Sequence, residues 1–307
     1  MNSDITNGVW PTMITPFTNE NEVDYQGLER LIEWYMQRKV NGLFAVCQSS
    51  EVFYLSLNER LELAKFIVDK VDGRIPVIAG SNISPSIPDQ IEEIKAMAQT
   101  GITATVLLAN RLASSNDTEQ VWKENLSRIL DEIPQIKFGL YECPYPYHRL
   151  ISAKTLQWVA KTNRFLFIKE TSCDLDTIKS KLDAVEHSDL KIFNANSATL
   201  MKSLELGVSG YSGIMANIHP ELYVWLVENW SKDSEKAKEL QYFLSVAAVF
   251  ENQLYPNNAK YYLNLEGLNL ADKSRVHFNK NLKPSHRIEI EHLRSLTKEY
   301  INRLKNV

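Results

Sequence analysis

Four large apolar residues, Phe165-Leu166-Phe167-Ile168, run without a break into Lys169, with Glu170 and Thr171 beyond it. A short run of aromatic and branched side chains bounded by polar residues predicts a strand covered on both faces. That places Lys169 at the end of an interior strand. An ammonium held in apolar surroundings loses hydration, its pKa falls, and the neutral amine then attacks carbonyl carbon, which is how Schiff-base lysines work. The plainer reading is a solvated lysine in the loop past a strand, with its stem lying on apolar surface. Taken alone, this segment favours the solvated loop lysine; the rest of the chain is what raises the catalytic reading.

Other residues of fitting chemistry also follow apolar runs. Gln48 and Ser49 come after Gly42–Cys47, Tyr141 ends Ile136–Tyr141, and Ser212 and Gly213 fall within Ser209–Ile214. A phenol moves protons, while hydroxyls and loop amides hold a carboxylate. Each has a structural alternative: Tyr141 is equally a core tyrosine whose hydroxyl finds a backbone partner. Cys47, Cys143 and Cys173 also lie near strand ends, where small buried structural cysteines are the ordinary case. His148 and His219 read as loop histidines, and Tyr145 and Tyr147 as pocket walls or caps of the core.

A catalytic reading needs these residues in one place, so the elements that carry them decide it. Strand candidates are Val9–Phe17, Gly42–Cys47, Pro76–Gly80, Thr103–Leu108, Ile136–Tyr141, the run into Lys169, Leu190–Phe193 and Ser209–Ile214. Between them apolar residues recur at helical spacing, as in Leu28, Leu31, Ile32 and Tyr35 behind an Asp24 N-cap. Further helices are read from Asn58 to Val71, from a Ser152 cap to Lys161, and from Pro220 to Trp230. Strand-then-helix units in this number predict an α/β chain, a closed (β/α)8 TIM barrel over residues 1–230. Residues 231–307 read as a small C-terminal helical extension, with Ala237, Leu240, Phe243, Leu244 and Ala247 on one face. In a barrel the C-terminal strand ends share one mouth, which would gather Gln48, Ser49, Tyr141, Lys169, Ser212 and Gly213.

Composition narrows the partners. With 34 Lys+Arg against 38 Asp+Glu the net charge is -4, so no broad basic face is expected and nucleic acid is not an expected partner. Small anions remain possible ligands. No apolar stretch reaches the length of a membrane span, and Met1-Asn2-Ser3-Asp4 lacks a charged-then-apolar signal region, so the cytoplasm is the expected location. The 3 cysteines are odd in number and widely spaced, which fits neither a disulfide framework nor a zinc site.

Several stretches together carry a resemblance: Gly8-Val9-Trp10-Pro11-Thr12-Met13-Ile14-Thr15-Pro16-Phe17, Gly42-Leu43-Phe44, Leu55-Ser56-Leu57-Asn58-Glu59-Arg60, Pro76-Val77-Ile78-Ala79-Gly80, Tyr141 followed by Pro144, Ile168-Lys169, and Gly210 through Ala216-Asn217 to Pro220. In order and spacing they resemble the dihydrodipicolinate synthase and N-acetylneuraminate lyase family of class I aldolases. The resemblance implies a barrel, a homo-oligomer (a tetramer of two tight dimers, or a dimer), pyruvate or another 2-keto acid as substrate, and no metal or organic cofactor. It puts Lys169 at the position of the Schiff-base lysine and Tyr141 at that of the proton-shuttling tyrosine.

The chain also departs from the family's pattern. Cys47-Gln48-Ser49-Ser50-Glu51 replaces the usual Gly-Thr-Thr-Gly-Glu or Gly-Ser-Thr-Gly-Glu loop, so Ser49 alone keeps its type and two glycines are lost. Asn110-Arg111-Leu112 stands where synthases carry a tyrosine pair, and Pro146 replaces an arginine. Arg111 and Arg149 lie near the same rim and are candidates for an acidic group on a second substrate. Glu142 stands where an asparagine is common. These departures argue against dihydrodipicolinate synthesis and towards a lyase that cleaves a sugar acid or related hydroxy-keto acid. Alternatives are a dehydratase or hydrolase using the same imine, or a silent keto-acid-binding protein of the same fold.

Overall fold

A computed structural model of the chain describes residues 5–278 and 280–305. Its strands are β1 (Gly8–Val9), β2 (Leu43–Phe44), β3 (Val77–Gly80), β4 (Ala104–Leu108), β5 (Phe138–Tyr141), β6 (Phe165–Glu170), β7 (Lys191–Asn194) and β8 (Gly210–Tyr211). They form one 8-stranded parallel sheet in the order β1-β8-β7-β6-β5-β4-β3-β2. The sheet closes on itself where Thr12 bridges Phe44, with Met13 N donating to Phe44 O at 2.9 Å and Phe44 N to Pro11 O at 3.0 Å. The chain is thus a (β/α)8 barrel, as the strand–helix alternation predicts. β1 is much shorter than the apolar run Val9–Phe17 because Pro11 and Pro16 have no N–H to give to a ladder.

Helices alternate with the strands: α1 (Tyr25–Gln37), α2 (Leu57–Val71), α3 (Ile87–Ala98), α4 (Glu119–Glu132), α5 (Ala153–Lys161), α6 (Leu175–Val185), α7 (Leu200–Leu206) and α8 (Pro220–Asn229). Their starts follow local chemistry. The Asp24 carboxylate accepts from Gly27 N, and Ser56 with Glu59 makes a capping box that opens α2 at Leu57, one residue before the expected Asn58. The C-terminal part adds α9 (Ser234–Ala247), α10 (Asn257–Leu265) and α11 (Pro284–Lys305). The sequence pattern reads as helical only here, but the structure breaks it: after a 3-10 turn at Ala248–Asn252 the chain bends through Leu254, at φ +54°, before α10 begins. Among the described residues no helix is long and apolar enough to cross a membrane.

Two apolar layers result from the alternation of side chains along each strand. Ile168 belongs to the outer layer, with Leu156 and Ile178 of the helices. Phe167 belongs to the barrel interior, with Ile78, Val106 and Phe193; burying such a ring contributes about 2–3 kcal/mol. The neighbouring strand makes room for it, since a Cβ on Gly139 would lie 2.1 Å from the Phe167 ring. Lys169, two residues on, shares the inward direction of Phe167 and caps the packed interior at its mouth.

Candidate active site

β5 and β6 lie in register with Tyr141 beside Lys169, so phenol and amine emerge together at the C-terminal end of the barrel. Lys169 is 4% exposed. Its Nζ sits 4.5 Å from the centre of the Tyr141 ring and 5.8 Å from that of Phe44. Among the described residues no carboxylate forms an ion pair with it. Burial brings the amine down from 10.5 to about 8, opposed by the thiols of Cys47 and Cys143 and by Glu251. Burial likewise keeps the Tyr141 phenol well above 10, so at neutral pH it is a proton donor.

The surrounding backbone is held by two buried charge clusters. Glu142, rather than pointing outward, accepts from Lys181 Nζ at 2.6 Å, Ile151 N at 2.7 Å and Thr171 N at 3.0 Å. Lys181 also donates to Glu170 at 3.0 Å. These bonds fasten the loops after β5 and β6, the strands of Tyr141 and Lys169. On the other side Glu51, at φ +63°, accepts from Lys260 Nζ at 3.4 Å, Arg275 N at 2.6 Å and Val276 N at 2.8 Å, which ties the C-terminal region to the loop after β2.

That loop explains how the chain does without its two glycines. Neither Cys47 nor Ser50 has a positive φ; the left-handed residue is Glu51. Ser50 Oγ donates to Met13 O at 2.7 Å and accepts from Cys47 N at 3.1 Å, so its side chain takes part in the turn. Gln48 Oε1 accepts from Tyr141 OH and from Cys143 Sγ, each at 3.4 Å. Ser49 Oγ donates to Thr12 Oγ1 at 3.1 Å. Among the described residues the backbone N–H groups of Gln48 and Ser49 have no backbone acceptor, and two such amides side by side suit a carboxylate.

A cavity of about 420 Å³ opens here, and Gln48, Ser49, Tyr141, Lys169 and Gly213 all line it. The other expected site residues lie outside it. Ser212 turns away, its Oγ donating to Trp10 O at 3.0 Å. Arg149 spends its guanidinium on Ser114 O and Asp117 O, at 2.6 and 2.8 Å, bracing the loop after β4. Arg111 is not in the wall either; its carbonyl accepts from Gln90 at 2.8 Å. His148, read as an ordinary loop histidine, does line the cavity and pairs with Thr171 Oγ1 at 2.8 Å. His219 is instead a core residue, fully buried and stacked 5.6 Å from Tyr223. Cys47 and Cys143 are buried free thiols, whereas Cys173 is exposed at the cavity wall.

The bend between α9 and α10 supplies Glu251, Tyr255 and Pro256 to the wall, none of them reached by the sequence reading. The Tyr255 hydroxyl accepts from Asn217 Nδ2 at 3.0 Å. The one local signal was Pro256, which forbids a continuous helix there.

The model of the Dihydrodipicolinate synthetase family matches residues 5–293. The chain belongs to that family. Among dihydrodipicolinate synthetase relatives, a 4-hydroxy-tetrahydrodipicolinate synthase of Clostridium tetani is 29% identical over 271 residues, 87% of this chain and 90% of that protein. One from Methanococcoides burtonii is 26% identical over 265 residues, 85% and 89% of the two chains. These names give no support to the expectation, drawn from the altered loops, that the chain has left that reaction. The fold also matches a family protein of an E. coli K12 prophage in complex with pyruvate, at a TM-score of 0.86, 22% identity and coverage of 95% and 98%. It matches a chloride-inhibited dihydrodipicolinate synthase of Acinetobacter baumannii complexed with pyruvate equally well, at 0.86, 23% identity and coverage of 96% and 99%.

Proposed function

We propose that this aldolase-type lyase joins Lys169 to a 2-keto acid, pyruvate first, as an imine, and cleaves or forms a carbon–carbon bond beside it. The observation that carries the reading is a buried lysine with no carboxylate partner among the described residues, facing a cavity beside two aromatic rings. The neutral amine adds to the keto carbon and water leaves, giving a protonated imine. In the cleavage direction the hydroxyl on C4 loses its proton, the C3–C4 bond breaks, and its electron pair passes into the imine to form an enamine while an aldehyde departs. Protonation at C3 and addition of water then release the keto acid and the free lysine. Tyr141 gives and takes the proton, with Gln48 holding the phenol in place. The amides of Gln48 and Ser49, with Gly213 opposite, hold the carboxylate.

The hydroxy-keto acid of a sugar is the preferred substrate. The relatives' names favour a second reading, synthesis of 4-hydroxy-tetrahydrodipicolinate. Taking pyruvate out of that seven-carbon skeleton leaves a four-carbon amino-acid aldehyde that carries its own carboxylate. The two readings thus differ in what the outer cavity must bind. A cytoplasmic homo-oligomer belongs to the same proposal, supported by Tyr242, Val246 and Val249, which leave an apolar stripe exposed along α9 and the turn after it. Borohydride reduction with pyruvate present, followed by peptide mass spectrometry, tests the imine. An adduct on Lys169 that is lost in Lys169→Ala is expected; a chain that traps no 2-keto acid is a binding protein or uses other chemistry.

A further inference from the structure

The acids of the cavity wall differ in what they have left to offer. Both Glu51 oxygens are taken, by Lys260 and by two backbone amides. Glu251 has no hydrogen-bond or ion-pair partner among the described residues; it feels burial, which raises it to about 7, and the opposing charge of Lys169. A carboxyl that faces a cavity unpaired is either a cost without return or a group that meets the ligand.

The wall is equally specific in what it lacks. Among the described residues it contains no arginine, and its candidate cations are Lys169, whose nitrogen the imine ties to the keto carbon, and His148. The His148 ring is engaged by Thr171 and burial lowers its pKa, so it is neutral at pH 7. Arg275 is bound to Glu59 at 2.6 Å, Arg149 donates to loop carbonyls, and Arg111 is not part of the wall. A second carboxylate entering this cavity would be desolvated without a cation and would meet Glu251 instead.

We infer that Glu251, from the bend after α9, determines specificity: it accepts hydroxyl hydrogens from an uncharged polyhydroxy tail and turns away tails ending in a carboxylate. The inference rests on the imine reading of Lys169 and adds the class of the second half of the substrate. Asn196 and Thr171 supply further polar groups on the same wall, and the rings of Phe53 and Tyr145, 5.0 Å apart, flank the opening against which C–H faces of a sugar chain can lie.

The test pairs a 2-keto-3-deoxy-hexonate, ending in CH2OH, with the matching 2-keto-3-deoxy-hexarate, ending in a carboxylate. Both are assayed for pyruvate release after borohydride trapping has shown that the protein forms the Lys169 adduct. We expect kcat/KM for the hexonate to exceed that for the hexarate by about tenfold or more. Glu251→Gln should narrow that ratio about tenfold, and Glu251→Arg should reverse it. Because the ratio is read within each variant, changes in the imine step cancel. An adduct-forming protein that cleaves the hexarate as well as the hexonate, or a ratio unmoved in both variants, overturns the role of Glu251 and leaves the imine standing. Failure to trap any adduct overturns both.

Discussion

Two buried environments for lysine lie within one barrel end. Lys181 and Lys260 are as inaccessible as Lys169, yet each sits against carboxylates: Lys181 against Glu142 and Glu170, Lys260 against Glu51. Lys169 has aromatic rings and an open cavity instead. Burial also lowers Lys260, to about 8, with Glu51 opposing. A depressed pKa therefore does not by itself mark the nucleophile. What separates the residues is access: the lone pair of Lys169 can reach a ligand, while Lys181 and Lys260 have every direction filled by protein. The paired lysines hold the loops, and the unpaired one is left open to the cavity for the chemistry proposed above.

The largest effect expected from breaking this contrast is on the paired side. Lys181→Met leaves Glu142 and Glu170 facing each other without a cation at 0% side-chain exposure. Leaving such charges uncompensated costs about 3–5 kcal/mol, read as a fall in the urea midpoint at constant m-value. Lys181→Met combined with Glu142→Gln should recover part of the loss, because one of the two opposed charges is gone. A single variant as stable as the parent would mean that the cluster holds nothing.

On the unpaired side the contrast sharpens with pH. Only the neutral amine attacks a keto group, and burial sets Lys169 at about 8. The rate of pyruvate adduct formation should thus fall about tenfold for each pH unit below that value and level off above it. Stopped trapping with borohydride at pH 6, 7, 8, 9 and 10 reads this directly. A profile that keeps climbing to pH 10 would show an ordinary, solvated lysine.

Much of this was legible in the sequence, for identifiable reasons. An unbroken apolar run ending in one lysine has few placements, and strand–helix alternation repeated around a barrel fixes which ends converge. Lys169, Tyr141, Gln48 and Ser49 were reached on that logic. Ser212 and the two arginines were not settled by it, because strand position states that a side chain is near the mouth but not which way it turns; Arg149 turns to two loop carbonyls. Glu251 and Tyr255 were invisible for another reason. They are distant in sequence from every strand and belong to a bend that meets the barrel through long-range contacts, such as Asn217 with Tyr255, that no local pattern encodes.

The smallest expected effect tests the cost of keeping Lys169 unpaired. Its pKa of about 8 in the folded protein lies below the ordinary 10.5, so between those values the unfolded chain binds more protons than the folded one and stability rises with pH. Below pH 8 the ammonium is charged in both states and the burial penalty is fully present. Lys169→Met removes that penalty while filling a similar volume, and at pH 7 it should stabilise the fold by about 1–2 kcal/mol, less than the full shift implies because the rings of Tyr141 and Phe44 attract the cation. The gain should shrink as pH rises from 8 towards 10.5, where both chains bury a neutral side chain. Thermal unfolding of the two proteins at pH 7 and pH 9.5 measures both statements. A methionine variant less stable than its parent at pH 7 would show that the cavity solvates the amine well, and that Lys169 is no more strained than the paired lysines.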